Sequence, residues 1–250
     1  MLELNQIHQG DCLELMKLIP TGSIDMILCD LPYGTTSCEW DSIIDMGKLW
    51  NEYERVIKDN GAIVLTANSR FTFTLYNSNP RLFRYKWIWE KNQSPTFATC
   101  NKMPMKIYED VLVFYKKMPS YYPQMQKGES YKKSKPINLS VTGTKVKGGR
   151  MASQSDGDRY PTDIIKIAVH PRVDVMHPTQ KPVALFEYLI KTYTNEGDLV
   201  LDNCSGSGTT AIACINANRR YICIEQNEEY IKRSRQRVQD HEPLLRLTNG

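Results

Sequence analysis

Ile24-Asp25-Met26-Ile27-Leu28-Cys29 runs straight into Asp30-Leu31-Pro32-Tyr33, and far down the chain Leu199-Val200-Leu201-Asp202 runs into Asn203-Cys204-Ser205-Gly206-Ser207-Gly208-Thr209-Thr210. Each is a short apolar run of buried-strand type that ends in a loop with special backbone chemistry. Further strand patterns fall at Asn5 to His8, Ala62 to Thr66, Tyr85 to Trp89, Val111 to Tyr115 and Tyr221 to Ile224. Helical periodicity fills several gaps between them, at Cys12 to Leu18, Met46 to Ile57, Phe71 to Tyr76, Val183 to Tyr193, Thr209 to Asn216 and Glu228 to Val238. Alternating strands and helices predict an α/β fold, a doubly wound and mostly parallel sheet of seven strands. Right-handed crossovers would then place both loops at the carboxyl ends of their strands, where open α/β sheets hold ligands. The two loops can therefore share one crevice.

The chain's 250 residues, 41% of them hydrophobic, suit a single domain with an elaboration. Its seven cysteines are odd in number and never two residues apart, and most lie in apolar runs; reduced thiols in a cytoplasmic protein are expected. The first residues lack a basic stretch followed by an apolar one, and no apolar run approaches the roughly 20 residues that span a bilayer. A net charge of +4 permits a polyanionic partner without requiring one. Between Lys116 and about Met176 the periodicity dissolves into Ser, Gly, Pro, Tyr and Lys, and only Thr162 to Ala168 resembles a strand. That is too long for an ordinary connection. Lys127, Lys132, Lys133, Lys135, Lys145, Lys147 and Arg150 interleave there with Tyr121, Tyr122 and Tyr131, the residue types that neutralise phosphates and stack on bases. A solvated Lys-rich loop has the same composition.

An Asp, a rigid Pro and a Tyr at a strand end can accept hydrogen bonds from an exocyclic amine and stack on its ring. Asp30 would supply one acceptor, the Leu31 carbonyl, held extended by Pro32, the second, and Tyr33 the aromatic face. Taken alone, the tetrapeptide reads equally as a turn with an aromatic plug. The glycines of Gly206 to Gly208 let backbone approach a ligand closely before the helix opens at Thr209. Glu225 ends the next strand, where an acidic side chain binds a ribose diol in dinucleotide folds. A third glycine of the dinucleotide pattern is missing, which favours a nucleoside cofactor without pyrophosphate, S-adenosylmethionine. Methyl transfer to a base amine is the chemistry these parts can perform.

In the order of its motifs the chain resembles the permuted, beta-class, amino-methylating DNA methyltransferases of adenine N6 or cytosine N4. Four blocks carry the resemblance: Gly10-Asp11-Cys12, Asp30 to Tyr33, His177-Pro178-Thr179-Gln180-Lys181-Pro182, and Asp202 to Thr210 with Glu225 beyond. It spans nearly the whole chain and implies a Rossmann-like S-adenosylmethionine-dependent domain over 1–250, with an inserted target-recognition region at 117–176. It implies double-stranded DNA as partner, base flipping, and a homodimer. It also implies that Asp11 and Cys12 meet the cofactor's adenine and that Glu225 with Gln226 meets its ribose. Thr179, Gln180 and Lys181 would meet its methionine part, together with Asp202, Cys204, Ser205, Gly206, Ser207, Gly208 and Thr209, and Asp30 borders both ligands. Asp at the first catalytic position favours adenine over cytosine by the same resemblance.

Two departures stand out. Leu31 replaces the family's usual first proline, which keeps the carbonyl but loses stiffness, and Cys204 replaces its usual aromatic, which costs packing on the cofactor. Cys204 lacks an activating base and the Pro-Cys pair of ring-carbon methylation, so a nucleophilic role is not expected. Methylation of RNA or of a protein glutamine, and a decayed DNA-binding protein, are the competing readings. Softer candidates are Trp40-Asp41 beside the pocket, Phe97, Asn101 and Lys102 in the loop from Gln93 to Pro104, and the basic cluster Lys232, Arg233, Arg235 and Arg237, placed near a helix C-terminus.

Overall fold

The computed structural model describes residues 2–34, 44–136, 150–169 and 180–248, with backbone alone at 133–136, 150–154 and 242–248. It divides into two compact units: one runs up to Tyr122 and resumes at Asp163, the other is Pro123–Thr162. The larger unit is built on strands β1 (Gln6–Gln9), β2 (Ile24–Cys29), β3 (Ile57–Ala67), β4 (Phe83–Glu90) and β5 (Tyr108–Phe114). Its helices are α1 (Cys12–Met16), α2 (Met46–Val56) and α3 (Arg70–Ser78) in the first half and α4 (Val183–Tyr193), α5 (Thr209–Asn216) and α6 (Glu228–Thr248) in the second.

The smaller unit contains β6 (Gln126–Lys127), β7 (Tyr131–Pro136), β8 (Arg150–Ser155) and β9 (Asp158–Arg159), after which β10 (Ile164–Lys166), β11 (Leu199–Asp202) and β12 (Arg220–Glu225) return to the large sheet. That sheet has the order β1-β12-β11-β2-β3-β5-β4-β10. It has eight strands where seven are predicted. The extra one, β10, pairs parallel to β4 and lies inside Thr162 to Ala168, the stretch that resembles a strand in the sequence but is not among the seven predicted for the sheet. Only β5 runs against its neighbours, β3 and β4.

Alternate residues of each strand enter two separate cores, as a sheet buried on both faces requires. Met26, Leu28, Ala62, Val64, Val200 and Cys223 pack against α4, α5 and α6. Ile27, Cys29, Ile63, Leu65, Leu201 and Ile224 pack against α1, α2 and α3. From β2 the chain builds outward through β3, and from β11 it builds the other way through β12. The switch point lies between β11 and β2, which pair as Val200 with Met26 and Leu201 with Ile27. Asp202 and Asp30 thus end or follow adjacent parallel strands.

In the smaller unit β6 pairs with β9 and β7 with β8, both antiparallel. Between Tyr131 and Pro136, β7 reads Lys132-Lys133-Ser134-Lys135, so its sequence carries no apolar face to betray a strand. Lys133, Lys135 and Arg150 stand in the β7–β8 ladder by backbone register, and Lys132 is exposed. Lys127 is paired with Asp158 at 2.5 Å. Tyr131 lies under the Arg159 guanidinium at 4.7 Å. Tyr121 and Tyr122 belong to the larger unit instead: the first packs its ring near that of Tyr193, and the second donates to Asn195. Lys145, Lys147, Thr179, Trp40 and Asp41 lie outside the described residues.

Candidate active site

Leu31 is buried in the core beneath α2 and α3, which explains an aliphatic residue where a proline is expected: the side chain anchors the turn that a ring would stiffen. Above it, Asp30 is held by three donors. Oδ1 accepts from the Tyr33 hydroxyl at 2.7 Å and from Thr66 of β3, and Oδ2 accepts from Lys181 Nζ at 2.5 Å. A carboxylate offers about four lone-pair sites, two on each oxygen. Oδ1 is therefore filled, and Oδ2 keeps one site for an incoming N–H. The Tyr33 ring stacks on Phe71, with centroids 4.9 Å apart, so a base stacking on Tyr33 would use the face that Phe71 leaves. Burial pushes the Tyr33 phenol well above its ordinary range, which keeps it a hydroxyl that donates to Asp30.

Lys181 is only 6% exposed and reaches a second carboxylate, Glu109 of β5, at 3.4 Å. Glu109 in turn accepts from Lys91. Burial disfavours the Lys181 ammonium, but Asp30 and Glu109 more than offset it and hold the lysine above its usual range. Burial likewise works against ionised Glu109, and Lys181 with Lys91 brings it below the usual carboxylate range. Lys91, Glu109, Lys181 and Asp30 form an alternating chain of charges with no net charge.

The same Lys181 touches the glycine loop through its carbonyl, which accepts from Thr209 Oγ1 at 3.3 Å. That contact joins the two distant motifs in one cleft. The loop is pinned to β12: Ser205 N donates to Ile224 O at 2.9 Å, and Gly206 N donates to Glu225 Oε2 at 2.8 Å. Gly206 has a φ of +48°, and a Cβ there would meet nothing within 4 Å, so its freedom leaves open space beside the loop. Gly208 serves packing instead, since a Cβ would come within 3.0 Å of Ser234 on α6. The Ser205 hydroxyl is buried without a hydrogen-bond partner. Such an orphan among the described residues costs about 1–3 kcal/mol unless a ligand or a small local shift satisfies it. A polar ligand fits the cradle on both counts.

Both oxygens of Glu225 already accept backbone N–H groups, from Gly206 and from Asn227, each at 2.8 Å. The sequence reading of Glu225 as a ribose acceptor thus needs an addition: the carboxylate also shapes the loop, using two of its four sites. Gln226 beside it is exposed. Gly10 N donates to Glu225 O at 3.0 Å, which brings Asp11 and Cys12 to the same rim. Asp11 is exposed and caps α1 by accepting from Glu14 N at 3.1 Å. Burial pushes Asp202 up to about 6, although Thr210 and the Cys204 amide both donate to it. Cys12, Cys29 and Cys204 gather there as free thiols. The Cys12 and Cys29 thiols, with burial, push Cys204 well above the thiol range, which favours its protonated form.

Residues 24–236 match a family model described as DNA methylase. The chain belongs to the N6/N4 DNA methylase family. It is 27% identical over 273 residues to the type II methyltransferase M2.MboI of Moraxella bovis, covering 96% of this chain and 89% of that one. It is 28% identical over 261 residues to the DNA adenine methyltransferase YhdJ of Escherichia coli, covering 94% and 83%. Among solved structures, a complex of M1.HpyAVI with SAM superposes with a TM-score of 0.64 at 23% identity over 93% of this chain and 98% of that one. The cytosine-N4-specific PvuII DNA methyltransferase does so with a TM-score of 0.64 at 18% identity, over 94% and 89%. At those identities the superpositions speak for a shared fold.

Several residues of the methylase site carry no motif of their own. Thr66, Lys91 and Glu109 reach the cleft from three further elements, and only the antiparallel insertion of β5 between β3 and β4 brings Glu109 to the carboxyl edge. The one sequence signal was an acidic pair, Glu109-Asp110, opening an otherwise apolar strand. Arg237 is another: it donates to Ser207 O at 2.9 Å and ties α6 to the glycine loop. Its neighbours act likewise in structure, Arg235 on Ile7 O and Lys232 and Arg233 on Glu228 and Glu229. These four do not sit at a helix C-terminus, because α6 continues to Thr248. Phe97 is 73% exposed in a single 3₁₀ turn, Phe97–Thr99, of the methylase's β4–β5 loop, and Asn101 and Lys102 follow it, also exposed. Among the described residues no cluster could hold a metal ion, and no helix is long and apolar enough to cross a membrane.

Proposed function

We propose that this methylase is a site-specific DNA methyltransferase that moves a methyl group from S-adenosylmethionine to the N6 amine of adenine in double-stranded DNA, after the base is rotated out of the stack. The observation that carries the reading is the single remaining acceptor site on Asp30 Oδ2, in the cleft that Lys181 shares with the glycine loop. When bound, S-adenosylmethionine supplies an electrophilic methyl group on a sulfonium. The chain's own part is placement and polarisation. Asp30 Oδ2 accepts one amine N–H and the Leu31 carbonyl the other, which draws the nitrogen toward a tetrahedral form with a free lone pair. Asp11 and Cys12 would face the cofactor's adenine, Glu225 and Gln226 its ribose, and Thr179 to Lys181 with Asp202 to Thr209 its methionine part. The orphaned Ser205 hydroxyl is suited to the polar end of that part.

Adenine is favoured by the Asp at the first tetrapeptide position and by likeness to a relative named as a DNA adenine methyltransferase. Cytosine N4 is the second reading, favoured by the fold shared with a cytosine-N4-specific enzyme. Nucleoside analysis of duplex DNA incubated with the protein and S-adenosylmethionine decides between them. N6-methyladenine is expected; N4-methylcytosine without methyladenine would remove the assignment. The unit at 123–162, with Lys127, Lys132, Lys133, Lys135, Lys145, Lys147 and Arg150 in or beside it, is proposed to read the target, its lysines neutralising phosphates.

Glu225→Ala tests the cofactor side. The substitution removes the proposed ribose acceptor and frees the Gly206 and Asn227 amides together. Charged hydrogen bonds of this kind are worth about 1.5–3 kcal/mol, so affinity for S-adenosylmethionine should fall at least about tenfold while DNA affinity stays. Titration calorimetry with each ligand reads both numbers, and an unchanged cofactor affinity would remove Glu225 from the site.

A further inference from the structure

We infer that Glu109 is a positioning residue for methyl transfer, acting through Lys181 to set how much negative charge Asp30 Oδ2 presents to the substrate amine. The inference rests on the amine-acceptor reading of Asp30 and holds for either base. Lys181 Nζ lies 2.5 Å from Asp30 Oδ2 and 3.4 Å from Glu109 Oε2, so one ammonium is divided between two carboxylates. Glu109 Oε2 is buried and accepts no hydrogen bond, and its companion Oε1 is held by Lys91. A buried carboxylate oxygen without a donor is costly, and its one evident use is to draw on the Lys181 charge. Without Glu109, the whole ammonium would bear on Asp30 and neutralise the one oxygen that has a site left for the amine.

The charge movement of the reaction makes that balance matter. The amine lone pair forms the new C–N bond as the bond from methyl carbon to sulfonium sulfur breaks, and a neutral thioether leaves. Positive charge thereby passes to the nitrogen, which sheds one proton, and Asp30 Oδ2 is placed to take it and pass it to water. An oxygen already neutralised by Lys181 stabilises that developing charge poorly. Among the described residues, the groups facing Lys181 are Asp30 after β2, the Tyr33 ring at 5.7 Å, and Glu109 on β5; Glu109 is also paired with Lys91 and acts electrostatically on Lys106.

Glu109→Gln keeps shape and removes charge. The expected result is a kcat lower by about tenfold, short of the roughly 10²–10³ that loss of a direct contact brings, with both substrate affinities within about twofold of wild type. Its deficit should also shrink toward alkaline pH, because only one anion then holds Lys181 charged and loss of that ammonium returns the charge of Asp30 Oδ2. Glu109→Asp, which retains the charge, should recover most of the rate at neutral pH, and it answers the question alone should the Gln form fail to fold. An unchanged kcat in Glu109→Gln overturns the inference. So does a tenfold loss in Glu109→Asp, which would mark the side chain as packing only. A wild-type protein that methylates no base would defeat the acceptor reading itself, a distinct failure.

Discussion

Asp30→Ala is expected to lower the rate of methyl transfer by about 10³-fold while leaving affinity for S-adenosylmethionine within a few-fold of wild type. Removing one preorganised group from a site of developing charge costs roughly 10²–10³ in rate, and Asp30 also organises Tyr33, Thr66 and Lys181 around that position. Because the carboxylate acts on the amine in the transition state, the loss belongs in kcat rather than in binding. Asp30→Asn should be nearly as inactive, since the amide brings a donor toward Lys181 and lacks the charge. Both variants should fold, for Lys181 keeps Glu109 at 3.4 Å. Single-turnover transfer to a duplex, beside equilibrium cofactor binding, measures the split. Full turnover in Asp30→Ala would show that another group receives the amine.

Much of this arrangement was legible before any coordinates, for a physical reason. The tetrapeptide and the glycine loop need particular residue types at strand ends, so their chemistry is written locally, and alternation of strand and helix periods puts those ends on one edge of the sheet. Leu31, which departs from the expected proline, proved informative, because its burial shows how the turn is held. What escaped the sequence was whatever depends on pairing between distant strands. Glu109 enters the cleft only because β5 runs antiparallel between β3 and β4, and nothing local in Tyr108-Glu109-Asp110-Val111 announces that direction. The ladders of residues 123–162 escape for the opposite reason: the middle of β7 is polar on both faces, Lys132-Lys133-Ser134-Lys135, so period two gives no hydrophobic signal. The hold of Glu225 on two backbone amides was likewise hidden, because backbone amides carry no sequence letter.

The charge chain also changes how the His177 to Pro182 block is understood. Read alone, it is a proline-bounded turn before a helix, and α4 does start right after Pro182. Yet the residue before that proline spends its side chain on Asp30 and its carbonyl on Thr209. One residue thereby links the proposed amine acceptor to the proposed cofactor loop, whose spacing an in-line displacement must hold to a fraction of an ångström.

Lys181→Met should therefore cost stability as well as activity. The substitution keeps volume but leaves Glu109 and Asp30 facing each other without the shared cation. Breaking a buried pair by removing one partner costs roughly 3–5 kcal/mol, which in a chain of this size corresponds to a fall in Tm on the order of 10 °C. The pH dependence carries the sign. Glu109 is held below its ordinary 4.5 in the folded wild type, so its contribution is fully present above that value and is lost as pH falls through the folded pKa. Lys181 is held above its ordinary 10.5, so its contribution is present below that value and is lost as pH rises through the folded pKa. The gap in Tm between wild type and Lys181→Met should accordingly be widest around neutrality and narrow toward acid, where protonation relieves the unpaired carboxylates. Adding Asp30→Asn to Lys181→Met should return part of the lost stability, since Glu109 keeps Lys91 whereas Asp30 is the carboxylate left without a cation. Melting curves across pH for the two single variants and the double decide the matter: a gap that does not narrow on acidification, or a double variant no more stable than Lys181→Met, would mean that Lys181 is not the counter-ion these carboxylates depend on.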